Sequence, residues 1–122
     1  MNVKNETTYS ITELSTEFEI TPRSIRHYED KDLIQPTRTG SQRVYSTGDR
    51  VRLQLILRGK RIGFSLSEIR EIITLYDTPA GEQKQTRLLL GKIKQRRMEL
   101  DQQQKDIKTM LLELEQLEQR LA

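Results

Sequence analysis

Thr21-Pro22-Arg23-Ser24-Ile25-Arg26-His27-Tyr28-Glu29 is the stretch from which the rest of the chain can be read. Threonine is a residue type that caps a helix. The proline after it falls at the first helical position, where its missing N–H costs nothing. At helical spacing Ile25 and Tyr28 face one way, while Arg23, Arg26, His27 and Asp30 fall on the opposite face. A short helix with an apolar back and a cationic front is predicted.

Upstream, Ser10-Ile11-Thr12-Glu13 is a capping-box pattern followed by Ile11, Leu14 and Phe18 at helical spacing. This first helix should end near Phe18. Two short helices joined by a few residues, the second cationic on its outer face, read as a helix-turn-helix. Residues 1–8 are polar and are expected to be a flexible N-terminal segment.

Downstream, Gly40-Ser41 separates two short extended stretches between Pro36 and Tyr45, the pattern of a β-hairpin wing with Arg38 and Arg43 on its arms. Ser46-Thr47-Gly48-Asp49 opens the next helix, with apolar Val51, Leu53, Leu55, Ile56, Leu57 and Ile62, and Gly63 breaks it. Ser65-Leu66-Ser67-Glu68 is a second capping box, opening a helix buried through Leu66, Ile69, Ile72, Ile73 and Tyr76. Thr78-Pro79-Ala80-Gly81 is the clearest breaker in the chain. The expected division is therefore a DNA-binding domain over 9–77, a linker over 78–81 and a dimerisation helix over 82–122.

That last segment has no proline. Ile93, Leu100, Ile107, Leu114 and Leu121 recur every seven residues, with Leu89, Arg96, Gln103, Met110 and Leu117 as the second seam. At 1.5 Å per residue the helix would be about 60 Å long. A domain this small cannot cover such a seam, so a partner helix is expected, packed through Leu89, Ile93, Leu100, Ile107, Met110, Leu114, Leu117 and Leu121. Charge suggests its direction. Residues 84–97 hold six cations and no acid, whereas residues 99–122 hold six acids and three cations. An antiparallel coiled coil centred near Gln102-Gln103-Gln104 sets the opposite charges against each other, and a homodimer of that form is predicted.

Composition bounds the chemistry. Of 122 residues, 34% are hydrophobic and 32% charged, which suits small helical units rather than a deep cleft. There is no cysteine, which excludes disulfides, thiolate metal sites and thiol nucleophiles. One histidine, no Gly-rich phosphate loop and no evident buried carboxylate pair argue against an enzyme, and a lone His27 cannot make a metal site. No run is long or apolar enough to span a bilayer, and no signal-peptide core is evident, so the cytoplasm is the expected location. Between residues 22 and 62 there are ten Lys or Arg and four acids, an excess of six positive charges. Such a segment attracts phosphate, although charge alone fits a solvated face equally well.

Tyr9-Ser10-Ile11, Thr21 to Glu29, Leu33-Ile34-Gln35-Pro36, Arg43-Val44-Tyr45-Ser46 and Ile62-Gly63-Phe64-Ser65-Leu66-Ser67-Glu68-Ile69 together resemble the DNA-binding domain of the MerR family. The motifs keep their order and spacing over about residues 9–76, and the long helix follows where the family places it. The resemblance implies a mainly α fold: a winged helix-turn-helix with a small β-hairpin wing, then a long dimerisation helix. It implies a bacterial transcription regulator that binds a pseudo-palindromic promoter site and acts by bending and untwisting DNA, with RNA polymerase a further partner at the promoter. Carried onto this chain, Thr21, Arg23, Arg26 and His27 lie at the DNA face, Tyr28 is mainly structural with its hydroxyl toward phosphate, Arg38, Arg43 and Tyr45 are wing contacts, and Lys60 and Arg61 belong to a second wing. Glycines that often end the first two helices are here Glu19 and Asp32.

Residues Leu55 to Ser65, Leu75-Tyr76-Asp77 and Gly81 to Gln85 resemble the LiuR subgroup more narrowly, which implies control of branched-chain amino acid or fatty-acid degradation genes. No fixed cofactor is expected. A small effector such as an acyl-CoA would suit the region from Tyr76 to Gln85 with Lys84 and Arg87. The alternative is an architectural or excision-type DNA-bending protein without direct transcriptional control. A coiled-coil adaptor that never meets DNA is a further rival.

Overall fold

A computed structural model describes residues 7–78 and 81–122, apart from the side chain of Tyr76. The expected flexible segment through residue 6, the Pro79-Ala80 part of the linker and the burial of Tyr76 lie outside the described residues. The chain divides into two compact units between Asp77 and Thr78.

The first unit runs β1 (Thr8–Tyr9), α1 (Ile11–Phe18), α2 (Pro22–Asp30), β2 (Thr37–Thr39), β3 (Gln42–Ser46), α3 (Thr47–Arg61) and α4 (Leu66–Tyr76). Its helices start where side chains satisfy the orphan backbone N–H groups. Ser10 with Glu13, Ser46 with Asp49 and Ser65 with Glu68 each form a reciprocal capping box, and Thr21 caps α2 with Pro22 just inside. Helix α1 ends at Glu19 (φ 55°), and the turn after α2 passes through Asp32 (φ 60°). Both positions where the family often has glycine thus carry a side chain in the left-handed region. Gly63 (φ 92°) turns the chain between α3 and α4.

The sheet is antiparallel in the order β1-β3-β2. The hairpin is the predicted wing. Strand β1 was not predicted: Thr8 pairs with Ser46 and Tyr9 with Tyr45, so Thr8 belongs to the sheet rather than to a flexible tail. Pairing on both sides makes β3 the central strand and puts Tyr45 inside.

The core gathers Leu14 of α1, Ile25 and Tyr28 of α2, Leu33 and Ile34 after it, Tyr45 of β3, Leu53 and Ile56 of α3, and Phe64, Ile69, Ile72 and Ile73 around α4. Leu66 is half-buried. Ile62, read as part of the apolar face of α3, instead caps the helix and is 41% exposed. Helices α3 and α4 approach closely at Gly59, where an added Cβ would lie 2.9 Å from Ile69 Cγ1.

The second unit is α5 (Gly81–Leu121), a single helix that begins one residue before the predicted start. Leu89 and Ile93 are half-buried, while Leu100, Ile107, Met110, Leu114, Leu117 and Leu121 are 45–78% exposed.

Candidate nucleic-acid interface

The reading helix follows from its two faces. Ile25 and Tyr28 sink into the core and fix the roll of α2, which leaves Arg23, Arg26 and His27 exposed along the other side. Arg23 and Arg26 enter no ion pair among the described residues. Thr21 is exposed too, but its hydroxyl is committed to the cap: Oγ1 accepts from the Ser24 N–H at 3.1 Å and lies 3.0 Å from Ser24 Oγ.

The wing is tied to this helix by Glu29. Hairpin register sets Arg38 directly opposite Arg43, a pairing of like charges that is unfavourable by itself. The carboxylate of Glu29 relieves it. Arg43 Nε donates to Glu29 Oε1 at 2.8 Å and Oε2 at 3.2 Å, and Arg38 Nη2 lies 3.6 Å from Oε2. The hydrogen bond that Arg43 donates to Glu29 holds its guanidinium further above the ordinary pKa. Glu29 was not among the predicted site residues.

One predicted contact needs correction. Tyr45 is fully buried at 0% exposure, so it is a core residue and not a surface contact of the wing. Its hydroxyl finds no hydrogen-bond partner among the described residues, and burial raises its pKa. Tyr28 is 8% exposed and packs in the core, in line with a mainly structural role. Burial raises its pKa as well. Lys60 and Arg61, expected in a second wing, sit in the last turn of α3. They are exposed with Arg58, which composition alone did not single out.

Several cations counted in the basic segment serve the fold. Arg50 pairs with Glu17 of α1, its Nε 3.0 Å from Oε1, and lies between the rings of Tyr9 and Phe18 at 5.8 and 5.7 Å. That hydrogen bond lowers the pKa of Glu17. Arg52 joins Asp77 (2.7 Å) to Asp49 (3.4 Å). Asp49, 3% exposed, also accepts from the backbone N–H groups of Ser46 (3.0 Å) and Gln35 (3.3 Å). It anchors the loop that leads into the wing.

An exposed cationic helix after a tight turn, with a charged hairpin fastened beside it, defines a winged helix-turn-helix DNA-binding protein. Family comparison makes this specific. The model of the MerR HTH family regulatory protein matches residues 9–75, and the model of the MerR DNA-binding region matches residues 50–117. The chain belongs to the MerR family and is a DNA-binding transcription regulator. It is 32% identical to the HTH-type transcriptional regulator ZntR of Escherichia coli over 111 residues, 89% of this chain and 77% of that protein. It is 35% identical over 98 residues to the HTH-type transcriptional activator mta of Bacillus subtilis, covering 77% of this chain and 38% of that one. Among solved structures, a MerR-family transcriptional regulator from Bacillus cereus superposes with a TM-score of 0.68 at 29% identity, covering 86% of this chain and 75% of that one. HiNmlR, a MerR family regulator lacking the sensor domain and bound to promoter DNA, shares the fold at a TM-score of 0.52 and 21% identity, over 78% of this chain and 80% of its own. No helix among the described residues is long and apolar enough to cross a membrane.

Proposed function

We propose that this regulator binds a pseudo-palindromic promoter operator as a homodimer and controls transcription by distorting the DNA between two reading helices. The observation that carries the reading is α2 itself: Ile25 and Tyr28 lock it into the core, and Arg23, Arg26 and His27 stay exposed on the outward face, the two arginines outside any ion pair among the described residues. The dimer rests on α5. Six seam residues stand 45–78% exposed there, and its cationic first half complements its acidic second half in an antiparallel pair. RNA polymerase at the same promoter would be the partner that reads the distortion. The LiuR-like resemblance in Leu55 to Ser65 and Gly81 to Gln85 supports control of branched-chain amino acid or fatty-acid degradation genes, with an acyl-CoA as the effector to try first.

The test is a gel shift on DNA from upstream of the protein's own coding region, against scrambled competitor, at several salt concentrations. Specific binding that maps to an inverted repeat is expected, with affinity falling steeply as salt rises. Binding without sequence preference would favour the architectural reading. No binding at low salt would overturn both.

A further inference from the structure

We infer that Glu29 is a specificity-determining residue of the DNA interface: it presets the wing arginines and restrains their attraction for DNA that α2 does not fit. The inference rests on the DNA-binding reading above. An acid in a phosphate-binding surface lowers affinity, because it repels the phosphates its neighbours attract. Glu29 nevertheless sits between Arg38 and Arg43, with its side chain only 17% exposed.

The geometry shows what it does there. Arg43 engages Glu29 through Nε alone. Its two terminal amino groups make no hydrogen bond among the described residues, so they remain as a fork suited to two phosphate oxygens. Glu29 therefore grips the guanidinium from the side and fixes its plane. Because Glu29 is on α2 and Arg43 on β3, the aim of that fork is slaved to the reading helix. Arg38, 56% exposed, lies 3.6 Å from the same carboxylate, which offsets part of its attraction for phosphate before DNA arrives. Asp30 adds to the negative field at Arg43, and Tyr45 lies in the same neighbourhood. A cation held this way is weak on arbitrary duplex. It contributes fully only where α2 is seated and the phosphate meets the prepared fork.

Charge and positioning can be separated by substitution. Glu29→Gln removes the charge and leaves an oxygen for Arg43 Nε. Glu29→Asp keeps the charge and withdraws the carboxylate. Binding of the wild type and both variants to the promoter fragment and to a scrambled duplex would be measured across a salt series, with thermal melts alongside. For the Gln variant, the salt slope on scrambled DNA should steepen by about one phosphate equivalent, ~0.9 in log–log terms, with severalfold tighter scrambled binding at low salt. Its preference for the promoter fragment should shrink. The Asp variant should lose preference without steepening the slope. A folded Gln variant with the wild-type slope and preference would overturn the inference, as would an equal weakening on both duplexes. An unfolded Gln variant leaves the decision to Asp, where retained preference overturns it. Wild type that binds neither duplex would instead remove the DNA-binding reading beneath it.

Discussion

Glu19 is a residue in the wrong conformational territory. At φ 55° and ψ 45° its Cβ crowds the backbone, a cost of about 1–2 kcal/mol that glycine does not bear. Glu19→Gly is expected to stabilise the protein by ~1 kcal/mol in chemical denaturation. A loss of stability would mean that the Glu19 side chain makes a compensating interaction. Tyr45 poses the opposite question. Its buried hydroxyl has no hydrogen-bond partner among the described residues, and such a group costs about 1–3 kcal/mol of desolvation. Tyr45→Phe should therefore melt at or above the wild-type temperature and bind operator DNA as tightly. Weaker binding with native stability would restore the wing-contact role that burial argues against. The sequence marked both positions, for different reasons and with unequal success. Glu19 stood out because a glycine was expected there. Tyr45 was misplaced because its surroundings depend on β1, and two residues of strand are too few to leave a periodic signal.

At the level of elements, legibility follows distance along the chain. Capping boxes join residues three apart, and the helix starts at Ile11, Pro22, Thr47 and Leu66 follow from such local patterns. The ion pairs that fasten elements together span much more: Glu29 to Arg43 is 14 residues and Glu17 to Arg50 is 33. Nothing in the local pattern says which of ten cations in the basic segment are spent on acids of the fold. Hence the sequence offers Arg38 and Arg43 as wing contacts but gives no sign of Glu29, the carboxylate that both face. The packing of α3 on α4 is likewise visible only in three dimensions. A Cβ at Gly59 would press on Ile69, which is 1% exposed and packed in the core. Alanine favours a helix by ~1 kcal/mol over glycine, while overpacking a core costs about 1–3 kcal/mol. Gly59→Ala should thus be destabilising on balance, by about 1 kcal/mol in urea unfolding. A stabilised variant would show that α3 and α4 can move apart freely.

For the whole molecule the seam of α5 is decisive. Leu100 and Ile107 lie near its polar middle and are 45% and 52% exposed. Leu100→Asp with Ile107→Asp should give monomers in sedimentation, with little operator affinity left, because a charge in a coiled-coil seam is desolvated without a partner. A double variant that stays dimeric would remove the coiled-coil reading. Direction is tested separately: Leu89→Cys should not self-cross-link in an antiparallel pair, whereas a parallel pair would bring the two thiols together.

The small sheet has a bearing on this. Strand β1 has two residues, and β2 has three, Thr37-Arg38-Thr39, all exposed and one of them charged. Long, flat, apolar strand edges are what let chains add to one another without limit, and short charged ones resist it. Edge-to-edge growth of fibrils is thus blunted at the wing. Under the proposed dimer, self-association falls to a helical seam of finite length, which saturates once it is covered. Apolar exposure carried on a helix rather than on a strand edge can be closed by a single partner helix, leaving no edge from which further copies could grow.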